Sequence, residues 1–243
     1  MQATNLAISE KNVLDRDSVI DGFYKAIQFG RRRAAPYLHF EFRPFSPALY
    51  AEMIRNLPDN SAYMELKHAE AMRPDGTSSR LVLPFKDEAL LPLPAEQREF
   101  WSELKSIMCG DEIRQLFLES FESELVARFE LPISDVPAIP KLMLMRDLAA
   151  YKINIHHDIH WKTITTQYYL PSDESQVHLG TGIYERRGPG DFVRTHKIEF
   201  APGNSYAFAV SKNSWHAVEP VGDIPKPRNS MMMIYFREPG YDY

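Results

Sequence analysis

Across 141–236 the chain is cut into short stretches rich in β-branched and aromatic residues, and this segmentation constrains the fold more than any other feature. The stretches 141–145, 151–155, 163–170, 197–200, 205–209, 215–218 and 230–236 read as strands. Pro171-Ser172-Asp173, Gly188-Pro189-Gly190 and Pro202-Gly203-Asn204 mark turns between them. Many short strands with regular turns predict an antiparallel sandwich or barrel.

The first part of the chain has a different character. Over 15–29 the apolar residues Val19, Ile20, Phe23, Ala26 and Ile27 fall at helical spacing. The segment 37–42 alternates as a strand does. Ser46 and Pro47 then read as the N-cap and first residue of a helix that runs to about Leu57, where Pro58 ends it. An extended piece over 79–84 contains Arg80, and a long helical zone over 95–129 should break near Cys109-Gly110. Helices followed by strands, with no alternation of the two and no Gly-rich phosphate loop, argue against a nucleotide-binding parallel sheet.

Composition narrows the class further. At 243 residues the length suits one large domain or two small ones, and 44% hydrophobic with 25% charged residues is enough to bury a sizeable core. The 28 basic and 33 acidic residues leave a formal charge of -5, so nucleic acid is not the expected partner. The local run Arg31-Arg32-Arg33 reads as a solvated stretch after a helix. A single cysteine, Cys109, excludes an intrachain disulfide and a cysteine zinc cluster. No run of 18 apolar residues is present, and Met1-Gln2-Ala3-Thr4-Asn5 does not open a secretory signal, so a cytoplasmic location without membrane contact is expected. Oligomeric state is not readable.

What composition does not explain is the clustering of histidines. Of eight, three stand at His156, His157 and His160. On a strand, His156 and Asp158 share a face, so an imidazole nitrogen and a carboxylate oxygen can meet at one point while His157 faces away. A third ligand must come from a distant strand, and His216 is the candidate. Two histidines and a carboxylate form the facial triad that holds non-haem Fe(II) and leaves positions open for a chelating co-substrate and dioxygen. Arg228 and Ser230 are again two residues apart. A guanidinium fork with a neighbouring hydroxyl suits the distal carboxylate of a dicarboxylate.

The set His156-x-Asp158, His216 and Arg228-x-Ser230 resembles the Fe(II)/2-oxoglutarate-dependent oxygenases. The resemblance covers roughly 141–238. Thr165-Thr166-Gln167-Tyr168-Tyr169-Leu170-Pro171, His178-Leu179-Gly180-Thr181 and Ser214-Trp215-His216 look similar to small bacterial members, which include amino-acid hydroxylases, halogenases and prolyl-hydroxylase-like enzymes. The resemblance implies a mainly β fold with N-terminal helices and a double-stranded β-helix (jelly-roll, cupin-like) core. It implies one oxygenase domain over 1–243, with a helix-rich part over 1–135 packed on a β-helix core over 136–243. Its cofactors would be Fe(II), 2-oxoglutarate as co-substrate and O2, with hydroxylation of an unactivated C–H bond and release of succinate and CO2. In related halogenases a small residue replaces the carboxylate ligand, so Asp158 disfavours halogenation. Desaturation or ring closure would use the same ligands.

The remaining site residues are expectations from strand parity and position. Thr165, Gln167 and Tyr169 share the strand face expected to point into the barrel, and Ile164, Tyr168 and Leu170 share the other. Gln167 and Tyr151 are placed on the co-substrate, and Arg80, Asn154, His160, Trp161 and Tyr169 on the substrate. The substrate itself is expected to be a small polar metabolite, such as an amino acid or biosynthetic intermediate. Peptidyl or carrier-bound residues, a cupin-like binding module without turnover and a zinc hydrolase are the competing readings.

Overall fold

Capping chemistry and apolar spacing set the helices of the first half. In the computed structural model, which describes residues 13–222 and 224–240, Asp15 caps α1 (Arg16–Phe29) by accepting from the Ser18 N–H, and Val19 and Phe23 bury one face. The reading of Met1 to Asn5 lies outside the described residues. β1 (Arg31–Arg33) and β2 (His39–Phe42) pair antiparallel. Ser46 caps α2 (Pro47–Arg55), with Pro47 in the first turn as expected. β3 (Met64–Glu65) pairs with β4 (Arg80–Pro84), and α3 (Asp87–Leu90) leads into α4 (Ala95–Met108), α5 (Asp111–Ser120) and α6 (Glu122–Phe129). The long helical zone thus breaks at Cys109-Gly110 and a second time at Phe121.

The second half is β5 (Ile139–Asp147), β6 (Ile153–His156), β7 (Lys162–Tyr169), β8 (Thr181–Gly188), β9 (Asp191–Ile198), β10 (Ser205–Ala209), β11 (His216–Val218) and β12 (Arg228–Phe236). An eight-stranded sheet runs β1-β2-β10-β7-β12-β5-β4-β3, and a four-stranded sheet runs β6-β11-β8-β9; every pairing is antiparallel. This is a mixed architecture of N-terminal helices and two antiparallel sheets.

The central strands of the large sheet are buried on both faces. Toward the helices it presents Ile164, Tyr168, Met231, Met233 and Tyr235, which join Phe23, Trp101, Leu104 and Phe117 in one apolar cluster. Trp101 donates its indole N–H to the Asn56 carbonyl at 2.8 Å, so the largest helical side chain is buried without a stranded donor. Toward the smaller sheet lie Tyr169, Tyr206 and Phe208, packed with Ile183, Ile198 and Val218. The parity sorting of β7 therefore holds.

Four local expectations change. The arginine run forms the edge strand β1, paired with β2, although its side chains stay largely exposed. The hairpin of β8 and β9 around Gly188-Pro189-Gly190 was visible only as a turn, because Glu185, Arg186, Arg187 and Arg194 on this exposed edge hide the alternating pattern. The piece over 197–200 is the tail of β9 and the residues after it. Strand β6 ends at His156, so Asp158 stands in the following loop and not on the strand.

Candidate active site

The site begins at a strand pairing. His216, first residue of β11, is the register partner of His156, last residue of β6, and their ring centroids are 4.3 Å apart. Each ring bonds through Nδ1 to the carbonyl two residues back: His156 to Asn154 and His216 to Ser214, both at 2.9 Å. These bonds fix the ring orientations and leave Nε2 on each as the ligand atom. Asp158 reaches the same point from its loop. Candidate ligand atoms of His156, Asp158 and His216 lie within 4.8 Å of one another.

The electrostatics suit a cation. Burial pushes the His216 imidazole down to about 4, with the nearby His156 adding to the effect, and burial also lowers His156. Both rings are therefore neutral and able to donate a lone pair. Burial would raise the Asp158 carboxyl, but the Lys162 ammonium and His216 outweigh it and hold it well below the usual carboxylate range. Lys162 Nζ donates to one oxygen of Asp158 at 2.6 Å, and the Thr165 hydroxyl donates to the other at 2.7 Å. The Asp158 loop is anchored from the helical half: Arg128 on α6 donates to the carbonyls of Lys162 at 2.9 Å and His160 at 2.6 Å, and to that of Val210.

These residues open onto a cavity of about 470 Å³. Its other end is cationic. The strand register aligns Arg80 on β4, Asp147 on β5 and Arg228 on β12 in one row. Arg80 donates Nε and Nη2 to the two oxygens of Asp147 at 2.6 and 3.1 Å, and Arg228 donates Nη1 to Asp147 at 2.6 Å and Nε to the Leu179 carbonyl at 2.7 Å. Two guanidiniums against one carboxylate leave one net positive charge, almost wholly out of water. Burial works against the charge on Arg80, yet Asp147 more than compensates and holds its pKa above the ordinary value. Beside this row, the Tyr206 hydroxyl donates to Gln167 Oε1 at 2.7 Å, Gln167 donates to the Ser230 hydroxyl at 2.9 Å, and the Tyr169 hydroxyl donates to Thr181 at 2.7 Å.

Of the residues singled out from the sequence, His156, Asp158, His216, Arg80, Tyr151 and Gln167 line the cavity. Arg228 and Ser230 lie just behind its wall, each bonded to a lining residue or to a partner of one. Tyr169 is fully buried beside them. Asn154 is spent elsewhere: Glu70 accepts from both its backbone and side-chain N–H, at 2.7 and 2.9 Å. His160 and Trp161 pack as tilted rings at 4.2 Å, and neither is among the residues that line the cavity. His157 packs against Trp215 at 4.6 Å while also lining the cavity. Sequence reasoning missed Asp147, because the expected strand stopped at Met145, two residues short of the next inward position. It also missed Lys162, Thr181 and Tyr206, whose roles depend on what faces them across the barrel.

No family model matches the chain, and no curated relative matches it. Solved structures do. The dioxygenase for auxin oxidation 1 from Arabidopsis thaliana, in complex with 2-oxoglutarate, is 14% identical with a TM-score of 0.51, over 84% of this chain and 85% of that one. A prolyl-4-hydroxylase from Pseudomonas putida is 14% identical with a TM-score of 0.49, over 92% and 99% of the two chains. An oxidoreductase of the 2OG-Fe(II) oxygenase family from Burkholderia pseudomallei is 14% identical with a TM-score of 0.48, over 82% and 84%. The fold is that of the first of these, the double-stranded β-helix of a 2-oxoglutarate-binding dioxygenase. The chain is structurally similar to the 2-oxoglutarate/Fe(II) oxygenases and carries a His-x-Asp…His cluster inside that fold.

Proposed function

We propose that this chain is an Fe(II)- and 2-oxoglutarate-dependent oxygenase that hydroxylates an unactivated C–H bond of a small metabolite. The observation that carries the reading is the buried cluster of His156, Asp158 and His216 opening onto the same cavity as a net-positive arginine row. The donor set fits Fe(II): two neutral imidazoles with Nδ1 tied back and one ionised carboxylate with its orientation set by Thr165 and Lys162. The positive row fits the far carboxylate of a 2-oxo diacid, which would neutralise its surplus charge. Iron bound together with 2-oxoglutarate supplies the oxidising chemistry, which consumes O2 and releases succinate and CO2.

The protein's own part is positioning and exclusion of water. Asp158, His156 and His216 hold the metal. Arg228, with Ser230, Gln167 and Tyr151 around it, forms the anion-receiving end. The walls between the two ends include Leu66, Met145, Ile153, Val218, Met232 and Phe236, so the substrate combines a polar group with an apolar body. An amino acid or biosynthetic intermediate with an apolar side chain meets that description. The carboxylate at Asp158 favours hydroxylation over halogenation. The helix-rich part and the barrel act as one catalytic unit.

The test is succinate release from 2-oxoglutarate with Fe(II) and ascorbate, screened over amino acids and their analogues. Substrate-stimulated succinate formation that disappears in His216→Ala and Asp158→Ala is the expected result. Absence of both turnover and 2-oxoglutarate binding in the iron-loaded protein would overturn the reading.

A further inference from the structure

Two arginines share Asp147, and they differ in what they show to the cavity. Arg228 is 0% exposed. Two of its nitrogens are committed to Asp147 and to the Leu179 carbonyl, and Nη2 is enclosed in protein without a partner. Its guanidinium packs over the rings of Phe200 at 4.5 Å and Tyr169 at 5.2 Å, which fill the space around it. Arg80 is 8% exposed and lines the cavity. Its Nε and Nη2 are locked on Asp147, and the guanidinium lies over the Tyr151 ring at 4.0 Å. That leaves Nη1, which is bonded to no described residue, as the donor turned away from Asp147.

We propose that Arg80, contributed by β4 of the helix-rich half, grips the far carboxylate of the 2-oxo diacid, with Arg228 acting behind it through Asp147. The inference rests on the oxygenase reading and reassigns one contact within it. Asp147 and Tyr151 fix the Arg80 fork before any ligand arrives, so little rotamer entropy is lost on binding. Thr181 and Tyr206 line the same cavity as Arg80, but the Thr181 hydroxyl donates to Tyr206 at 3.4 Å and the Tyr206 hydroxyl to Gln167, which leaves Arg80 as the free donor there. Arg228 supplies the surplus charge and, by holding Asp147, sets the plane of Arg80. It is a positioning residue.

The experiment compares two 2-oxo acids on the metal-loaded protein. Binding of 2-oxoglutarate and of pyruvate, which lacks the far carboxylate, is measured by calorimetry with Mn(II) in the absence of O2. The wild type, Arg80→Gln and Arg80→Lys are compared. Loss of a charge-assisted bond predicts that Arg80→Gln weakens 2-oxoglutarate binding roughly ten- to a hundredfold and leaves pyruvate binding unchanged. Arg80→Lys, which keeps a cation against Asp147 with a shorter reach and no fork, falls between. Should Arg80→Gln fail the thermal-melt control, the lysine variant decides the matter alone. A wild-type ratio of the two affinities in a folded variant, or an equal loss for both acids, overturns the assignment of Arg80 while leaving the oxygenase reading intact. A wild type that binds neither acid in the presence of Mn(II) overturns both.

Discussion

At the scale of single residues, the site is built from side chains whose second polar atom is already occupied. His156 and His216 spend Nδ1 on their own backbone, and Asp158 receives a hydroxyl and an ammonium. Substituting a partner of this kind in metal sites costs about 10–100-fold in metal affinity. Thr165→Val should therefore weaken Mn(II) binding by roughly that factor, and Asp158→Ala should weaken it further, both read by calorimetry. A second titrating residue lies outside the site. His39 is fully buried, with Nδ1 on the Tyr37 carbonyl and Nε2 unpartnered, and it faces His196, Glu41 and Arg33. Burial lowers its pKa in the folded protein, against the effect of the Tyr37 carbonyl. The unfolded chain then takes up a proton below the ordinary value of about 6.5 while the folded one does not. Stability is thus kept above that pH and lost as pH falls below it, by up to about 1.4 kcal/mol per pH unit from this one group. Denaturant unfolding of His39→Gln between pH 7 and pH 5 should show a shallower loss than the wild type.

At the scale of elements, short strands and loops carry the chemistry and neighbouring elements hold them still. The loop from His157 to Trp161 follows His156, carries Asp158 and leads into β7, and Arg128 on α6 holds it at the His160 carbonyl and at Lys162 where β7 begins. Arg128→Ala frees three carbonyls at once. It should lower metal affinity more than it lowers the melting temperature, which calorimetry and thermal melts on the same sample can separate. The start of β8 is held by close approach: a Cβ built at Gly180 would sit 1.7 Å from the Ile198 carbonyl oxygen, so backbone must move. Gly180→Ala should destabilise the fold by about 1–3 kcal/mol or more and displace Thr181 in the cavity. Denaturant unfolding with matched slopes checks the first part. That Ser46 and Pro47 would start a helix was legible because capping is local. The β8–β9 hairpin was not, because an exposed edge carries little hydrophobic pattern.

At the scale of the whole molecule, the helical part is no appendage. Its side chains Phe23, Trp101, Leu104 and Phe117 and the outer-face residues Tyr168, Met231, Met233 and Tyr235 belong to one cluster. A fragment starting at residue 136 would expose that entire sheet face to water. It should fail to fold as a monomer, shown by aggregation in size exclusion and loss of near-ultraviolet circular dichroism. The same packing places β4 between β5 and the edge strand β3, with Arg80 in register with Asp147, which is how Arg80 enters the cavity. Among the described residues no helix is long and apolar enough to cross a membrane.

The sequence by itself determined the strand-rich second half, the inward and outward faces of β7, and the identities of the three clustered metal-ligand candidates. Each is written in spacing along one strand or in a short motif. Tertiary structure alone decided that Asp158 stands in a loop, that Asn154 belongs to Glu70, and that Arg80 and Arg228 share Asp147. The partners in that arginine row are 67 and 81 residues apart. A charged side chain has no periodicity to announce a partner at that range, and only the register of β4, β5 and β12 brings the row together.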